Sequence, residues 1–129
     1  MPELPEVETT VKSLNILKNK KVISLDIHVK KLRYLVPHLG LKNIIDYKIK
    51  GLRRIAKYVI IDFSNFKSVI IHLGMSGRLK IVKPNVALNK HDHLVFKFKN
   101  FKLIFNDPRR FGFVDITNSE KISNISYIN

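Results

Sequence analysis

The chain has 129 residues, enough for one domain with a single hydrophobic core. Hydrophobic residues make up 45% and charged residues 26%, which is typical of a globular protein. There is no Cys, which excludes a disulfide framework, a thiolate zinc site and a cysteine nucleophile. Lys and Arg number 24 against 10 Asp and Glu, and the resulting charge of +14 indicates a polyanionic partner such as nucleic acid, although a lysine-rich proteome would give the same excess.

Targeting signals are not evident in the sequence. No run approaches the roughly eighteen apolar residues that a membrane-spanning helix needs. The first six residues, MPELPE, contain neither the basic stretch nor the apolar stretch of a signal peptide. We therefore expect an intracellular, cytoplasmic protein that does not associate with membranes.

The chain begins with a predicted amphipathic helix over residues 2–18. Its apolar residues recur every three or four positions, at Leu4, Val7, Val11, Leu14 and Leu17. The prolines at positions 2 and 5 fall in the first turn, where a missing N–H is harmless. Glu3, Glu6 and Glu8, near the start of the helix, favour the positive end of the helix dipole.

After residue 22 the apolar residues alternate with polar ones, which predicts strands. Residues 30–43 are irregular, and residues 64–67 and 99–100 are predicted hairpin turns. The predicted strands are 22–29, 44–49, 52–55, 58–63, 68–73, 78–82, 94–98, 101–105 and 111–116. The expected fold is mainly β with flanking α: an N-terminal helix followed by an antiparallel sandwich of about eight strands. Residues 117–129 are predicted to be a poorly ordered tail.

Pro2 directly follows the initiator Met1. Removal of Met1 would leave a secondary amine, and an α-amine has a pKa of about 7.7–8.0, so that much of it is neutral near pH 7. Attack of this amine on an aldehyde-level carbon would give a cationic Schiff base. Glu3 and Glu6 lie close by and could act as general acid and base. Alternatively, proline and glutamate are simply good residues with which to start a helix.

Three further segments combine basic, glycine and apolar residues. Arg53, Arg54 and Lys57 cluster at a strand junction, where alternation would place Arg53 and Lys57 on one face. In HLGMSG (72–77), two glycines flank a Met that the turn would expose, and apolar wedges of this kind can enter a base stack. In DPRRFG (107–112), Pro and Gly bracket two arginines and a ring. Solvated strand faces and ordinary turns remain alternatives for each segment.

The segment His91-Asp92-His93 brings two imidazoles and a carboxylate together. Without thiolates these three residues make a poor metal site in isolation, so we predict no metal. A phosphate contact or a plain surface role fits the segment better.

Taken in order, these motifs resemble the N-terminal catalytic domain of the bacterial formamidopyrimidine-DNA glycosylase family. The resemblance covers residues 2–116 and rests on PELPEVET (2–9), the segment from Arg54 to Tyr58, HLGMSG, KHDH (90–93) and DPRRFG. It implies base-excision repair of double-stranded DNA by a bifunctional DNA glycosylase and AP lyase, which removes oxidised purines (8-oxoguanine, formamidopyrimidine) or cuts at an abasic site. The fold it implies is a β-sandwich flanked by helices.

The resemblance also implies roles for individual residues. Pro2 would attack the sugar C1′, Glu3 would transfer protons, Glu6 would help to order the site, and Lys57 would hold a phosphate near the lesion. Met75, Arg109 and Phe111 would fill the gap left by the flipped nucleotide, with Arg109 facing the orphaned cytosine. His72, His91 and Arg110 would make lesser DNA contacts.

The sequence departs from the family pattern in two ways. It contains neither the family's helix–two-turn–helix domain nor its four-cysteine zinc finger, so no cofactor is expected in this chain. Ile55 stands where a second basic residue is common. Three hypotheses stay open: an active glycosylase and lyase, alone or with a separate chain that supplies the missing half; a catalytically inactive DNA-binding remnant; or a basic β-domain that binds RNA or another anion.

Overall fold

The computed structural model describes residues 4–128. Helix α1 (Leu4–Ser13) continues into a 3-10 turn (Leu14–Leu17), and a short helix α2 (His38–Leu41) precedes a second 3-10 turn (Lys42–Ile44). The eight strands are β1 (Ser24–Ile27), β2 (Ile49–Ile55), β3 (Tyr58–Phe63), β4 (Lys67–His72), β5 (Arg78–Val82), β6 (Asp92–Lys97), β7 (Lys102–Asn106) and β8 (Phe113–Asn118). None of the helices in the described range is both long enough and apolar enough to cross a lipid bilayer.

The strands form two antiparallel four-stranded sheets, in the orders β1-β6-β7-β5 and β2-β3-β4-β8. The inner faces of the sheets share one core, which contains Phe63, Phe96 and Phe105 at 1% exposure or less. The face of α1 that carries Val7 and Val11 belongs to the same core. The predicted class, an N-terminal helix followed by an antiparallel β-sandwich, is confirmed.

Some predicted boundaries were wrong. The α-helix ends at Ser13, and Leu4, predicted to lie on the apolar face, is 43% exposed. Residues 44–49 are not a strand: Ile44 ends a 3-10 turn, and Asp46 has a φ of 73°, a left-handed conformation that interrupts an extended chain. Strand β2 instead runs unbroken from Ile49 through the predicted gap to Ile55.

The segment after residue 117 has regular structure, whereas its sequence pattern predicts a poorly ordered tail. Strand β8 continues to Asn118, and a 3-10 helix follows (Ser119–Asn124). Ile122, 2% exposed, packs with Ile60 and Ile70 on the outer face of the second sheet. The outer face of this sheet is itself apolar. The segment after residue 117 therefore packs on it and buries hydrophobic surface that would otherwise face water.

The strand register brings the functional motifs together at one end of the sandwich. His72 pairs with Phe113, and Arg78 pairs with Asn106, so the segments 73–77 and 107–112 leave their sheets side by side. We call these two segments, with the β2–β3 turn next to His72, the loop end. At the opposite end of the sandwich, a backbone bridge pairs Lys21, which precedes β1 of one sheet, with Lys48, which precedes β2 of the other.

Candidate DNA-binding and catalytic site

A buried carboxylate holds the two glycine-containing loops together. Asp107 is 0% exposed, and its Oδ1 accepts hydrogen bonds from Ser76 Oγ at 2.7 Å and from the Arg110 N–H at 3.2 Å. Its Oδ2 accepts the buried Gly112 N–H at 2.9 Å. Ser76 Oγ in turn accepts the Arg109 N–H at 3.0 Å. Asp107 therefore fixes the 73–77 loop against the 107–112 loop.

The two loops approach each other so closely that a side chain would not fit between them. Gly74 has a φ of 61°, and a Cβ placed on it would lie 2.5 Å from the Gly112 nitrogen. Both the backbone conformation and the contact therefore require glycine here. The tight crossing places the residue after Gly74 and the residue before Gly112 next to each other on the surface.

Three side chains project from this crossing. Met75 is 52% exposed and Phe111 is 45% exposed, although both are large and apolar. The guanidinium of Arg109 lies 5.1 Å from the centre of the Phe111 ring. The prediction that the turn exposes Met75 is confirmed, and Phe111 is not a core residue. Arg110 is also exposed; its φ of 59° turns the chain so that its N–H reaches Asp107.

His72 lies beneath the loops and is 6% exposed. The Gly74 N–H donates to its Nδ1 at 3.0 Å, so the proton of the neutral ring is on Nε2. The ring stacks on Phe113 with a centroid distance of 5.4 Å. Burial, and then the positive charges of Arg33 and Lys57, lower the pKa of His72 below its ordinary value of 6.5. His72 is thus a neutral N–H donor at physiological pH.

Lys57 lies in the β2–β3 turn and is half-buried. The expectation that it shares a strand face with Arg53 was wrong, because Ala56 at a φ of 50° ends the strand before it. Arg53 instead forms an ion pair with Asp62 at 2.8 Å, away from the turn. Arg54 holds the turn in place: its Nε donates to Glu8 of α1 at 2.6 Å and its Nη1 to the Ala56 carbonyl at 2.9 Å.

Glu6 lies in the first turn of α1 and is exposed. It lines an open groove of about 920 Å³ together with Met75, Ser76 and Pro108. The structure thus brings Glu6 to the same groove as the two loops. Pro2 and Glu3 lie outside the described residues.

The imidazoles of His91 and His93 lie close together, as predicted, with their ring centres 6.4 Å apart, although strand β6 begins only at Asp92 and its pairing is irregular between Asp92 and Leu94. His93 is buried, and its Nε2 donates to the Asp107 carbonyl at 2.9 Å. His91 is half-buried at the foot of the Asp107 loop, where its carbonyl accepts the Asp107 N–H. Among residues 4–128, no group of three or more His, Asp or Glu side chains is arranged to hold a metal ion.

The comparisons with known proteins agree with this geometry. Residues 1–114 match the family model described as the formamidopyrimidine-DNA glycosylase N-terminal domain. The chain belongs to this family. It is 50% identical over 119 residues to the formamidopyrimidine-DNA glycosylase of Rickettsia canadensis, and 42% identical over 120 residues to that of Acinetobacter baumannii. These matches cover 88% and 93% of this chain but 42% and 43% of the relatives, so the chain spans less than half of their length.

Solved structures of the Lactococcus lactis enzyme share the fold. A complex with DNA that contains N7-benzyl-Fapy-dG matches with a TM-score of 0.88 and 30% identity, over 95% of this chain and 46% of that one. A complex bound non-covalently to DNA with an AP site matches with a TM-score of 0.86 and 31% identity, over 95% and 48%. The N-terminal glycosylase domain is therefore the correct fold assignment for this chain.

Sequence analysis missed two features of this glycosylase-family site. The DPRRFG motif contains Asp107 but gives it no role, because a buried acid cannot be recognised from sequence without knowing that its neighbours are backbone N–H groups. Arg33 comes from the irregular segment 30–43, yet its N–H donates to the Gly112 carbonyl at 3.1 Å. With His72, Gly74, Met75 and Phe111 it lines a cavity of about 460 Å³. No local pattern marks Arg33.

Proposed function

We propose that this chain is the catalytic domain of a bifunctional DNA glycosylase and AP lyase that acts on oxidised purines and abasic sites in double-stranded DNA. One observation carries the proposal: Asp107 and the Gly74–Gly112 crossing hold Met75, Arg109 and Phe111 side by side on the surface. The exposed thioether and ring form an apolar patch next to a guanidinium, and such a patch marks a surface that meets a partner. A base stack with one nucleotide removed offers such a partner.

The proposed chemistry begins at Pro2. Its secondary amine attacks the sugar C1′, the damaged base leaves with the electrons of the glycosidic bond and takes up the proton that the nitrogen loses, and the sugar ring opens to an iminium. Glu3 protonates the ring oxygen as the bond between C1′ and that oxygen breaks. Loss of a C2′ proton then expels the 3′ phosphate, and a second elimination expels the 5′ phosphate. Water finally releases the amine. No metal or cofactor enters these steps, and we propose none for this chain.

The groups around the loop end would position the DNA for this attack. Lys57 would hold a phosphate next to the lesion, and the Nε2–H of His72 could donate to a neighbouring phosphate oxygen because Gly74 occupies Nδ1. His91 and Arg110 would add contacts. Arg109 would face the cytosine left unpaired, while Met75 and Phe111 fill the gap. Glu6, on the groove beneath Met75, would order the base or the attacking amine.

A separate chain could supply what the longer relatives carry beyond this domain, and we propose it as a partner beside damaged DNA. Such a protein would act in the bacterial cytoplasm, where it would associate with the nucleoid through DNA. When the 129-residue chain is assayed by itself, this domain alone must hold the base outside the duplex. We therefore expect lyase activity on a ready-made abasic site to survive better than excision of 8-oxoguanine, since an abasic sugar needs no base pocket.

Borohydride trapping tests the proposal. Borohydride reduces the iminium to a stable amine, so the 129-residue chain should form a covalent adduct with an oligonucleotide duplex that contains an abasic site at low salt. Intact mass should show Met1 removed. The variant Glu3→Gln should still bind DNA but lose base excision by about 10²–10⁴-fold. An 8-oxoguanine duplex serves as the second substrate.

The alternative function, a catalytically inactive DNA-binding remnant, makes the opposite prediction. It would bind the same duplex through the loop end and yield no adduct with any lesion. Retention of Met1 in most molecules would have the same meaning, because Pro2 would then be an amide. Equal loss of DNA binding in Glu3→Gln and Met75→Ala would indicate that both residues are structural.

A further inference from the structure

The end of the sandwich opposite the loop end carries a second cleft, of about 520 Å³. Four lysines line it, together with Ile23, Asn100 and the rings of Phe98 and Phe101; the lysines are Lys20, Lys21, Lys48 and Lys99. They come from three chain segments, 18–23, 46–50 and 98–101, which we call the lysine end. None of the residues assigned to the candidate DNA-binding and catalytic site lies in these segments.

The lysine end has a large excess of positive charge. Its three segments contain six lysines and one acid, Asp46. Within the described part of the chain, no carboxylate lies within ion-pair distance of any of the four cleft lysines. The nearby acid Asp26 is already paired with Lys97 at 2.8 Å, and this hydrogen bond lowers the pKa of Asp26. Unpaired lysines around one concave surface raise its potential and attract an anion.

The backbone that carries these lysines is fixed. Lys21 and Lys48 face each other across an antiparallel bridge, and the Ile49 N–H donates to the Lys20 carbonyl at 2.9 Å. On the other rim, the Ile23 N–H donates to the Lys97 carbonyl at 2.8 Å. The lysine stems therefore start from a rigid frame, and only their side chains must be ordered when an anion binds.

Exposed aromatic rings continue the surface beyond the cleft. The Ser64 N–H donates to the Lys48 carbonyl at 2.9 Å, which joins the β3–β4 hairpin to the rim. At the tip of this hairpin Phe66 is 71% exposed, and Lys50 Nζ lies 5.5 Å from the centre of its ring. Tyr47, between Asp46 and Lys48, is 43% exposed. Lysines can neutralise the phosphates of a nucleic-acid strand, and exposed rings can stack on its bases. A surface that interleaves the two therefore suits such a strand.

We propose that the lysine end is a second DNA-binding surface, which takes the phosphodiester backbone of a DNA segment other than the one at the loop end. Ammonium groups are point charges without the forked geometry of guanidinium, so this surface holds phosphates and does not read sequence. The choice of DNA over RNA rests on the proposed function of the loop end. One domain would thus hold two DNA segments at once.

Stoichiometry tests the proposal. At low salt, short duplexes of one lesion-free sequence should bind the wild-type chain at two per protein. The triple variant Lys20→Gln, Lys21→Gln, Lys48→Gln should bind one. A matched control neutralises three exposed lysines outside the cleft, Lys12, Lys42 and Lys121, and should still bind two. On the wild-type chain, contacts from these three lysines to phosphates should contribute about 2–3 to the slope of log K against log salt for the second duplex.

Lysine acetylation with and without DNA gives a second measurement on the unmodified chain. Once DNA exceeds one equivalent, mass spectrometry should show Lys20, Lys21 and Lys48 protected and Lys12 and Lys121 unprotected. Single-stranded and duplex DNA are compared in separate arms, and stronger protection by single strands would support stacking of bases on the exposed rings of this surface.

Three results would overturn the proposal: one duplex per wild-type protein, equal behaviour of the cleft variant and its control, or preferential protection by RNA. Borohydride trapping on abasic DNA is measured in parallel. The cleft variant should still form the adduct, so a failure at the lysine end is distinct from a failure of the glycosylase proposal.

Discussion

Replacement of Asp107 by Asn tests whether one buried carboxylate organises the loop end. The amide keeps the shape and one acceptor oxygen, which can still receive Ser76 Oγ and the Arg110 N–H. Its NH2 group, however, meets the buried Gly112 N–H, donor against donor. That unsatisfied N–H costs about 1–3 kcal/mol, and weakening of two charge-assisted bonds adds about 0.5–1 kcal/mol each. The expected destabilisation is about 3 kcal/mol.

For a chain of this length, a loss of that size lowers Tm by roughly 10 °C. Thermal unfolding followed by circular dichroism measures it directly. Asp46→Asn is the matched control: it removes one carboxylate of the same type from an exposed turn, at a left-handed position that Asn tolerates. Its Tm should stay within about 2 °C of the wild-type value, as expected of an exposed substitution.

The same variant should also impair the proposed reaction. If Ser76 and Gly112 lose their common anchor, Met75 and Arg109 shift relative to each other, and a displacement of about 1 Å can cost 10²-fold in rate. Borohydride trapping on abasic DNA, measured well below the new Tm, should slow accordingly. An Asp107→Asn protein that melts within 2 °C of wild type and traps at the same rate would refute the role assigned to this carboxylate.

Two further predictions concern Gly74, at the loop crossing, and His72, which lies beneath the loops. Gly74→Ala should lower the free energy of unfolding by about 2–4 kcal/mol, because of the left-handed backbone and the overlap with Gly112. In the control Gly51→Ala the new Cβ meets nothing within 4 Å, so the free energy of unfolding should be unchanged or slightly raised. Equal urea midpoints for the two variants would contradict this prediction. The pKa of His72 is lower in the folded than in the unfolded chain. Its contribution to the free energy of unfolding is therefore complete above about pH 6.5, the ordinary pKa of histidine, and is lost as the pH falls from there to the folded-state pKa. The loss is no more than about 1.4 kcal/mol per pH unit. Urea unfolding between pH 7.5 and 5.5 should therefore show a smaller loss for His72→Gln than for wild type or for the exposed-histidine control His28→Gln, and parallel losses would argue against the assignment.

Local sequence patterns predicted the strands in which the burial of side chains can be inferred from neighbouring residues alone. The continuous apolar run in residues 58–63 and the alternation in residues 78–82 placed β3 and β5 within their observed bounds, because β3 is buried on both faces whereas β5 presents one face to the core. Residues 44–49 alternate equally well, yet Asp46 reverses the chain there. Whether a non-glycine residue adopts a left-handed backbone depends on its tertiary surroundings. The alternation of side chains along the chain does not indicate those surroundings.

The site was predictable where a residue type is unusual in its setting, as Met75 is between two glycines. The residues that hold the site together were not, because their roles depend on partners distant in sequence. Ser76 meets Asp107 across 31 positions, and Arg54 meets Glu8 across 46. Which groups touch DNA stays a prediction of the sequence motifs, and those motifs do not indicate the contacts that keep the groups in place.

Charge predicted a polyanionic partner but not where it binds. At the loop end the positive groups that surround the exposed Met75 and Phe111 are mostly arginines, Arg33, Arg109 and Arg110, which suits a surface that must match planar bases and phosphates in a fixed geometry. Four lysines that form no ion pair within residues 4–128 line a cleft at the other end of the sandwich. If charge served only the loop end, those lysines would add repulsion to the folded state without a compensating contact. A second phosphate backbone would offset that repulsion, and the salt dependence of each duplex separates the two contributions.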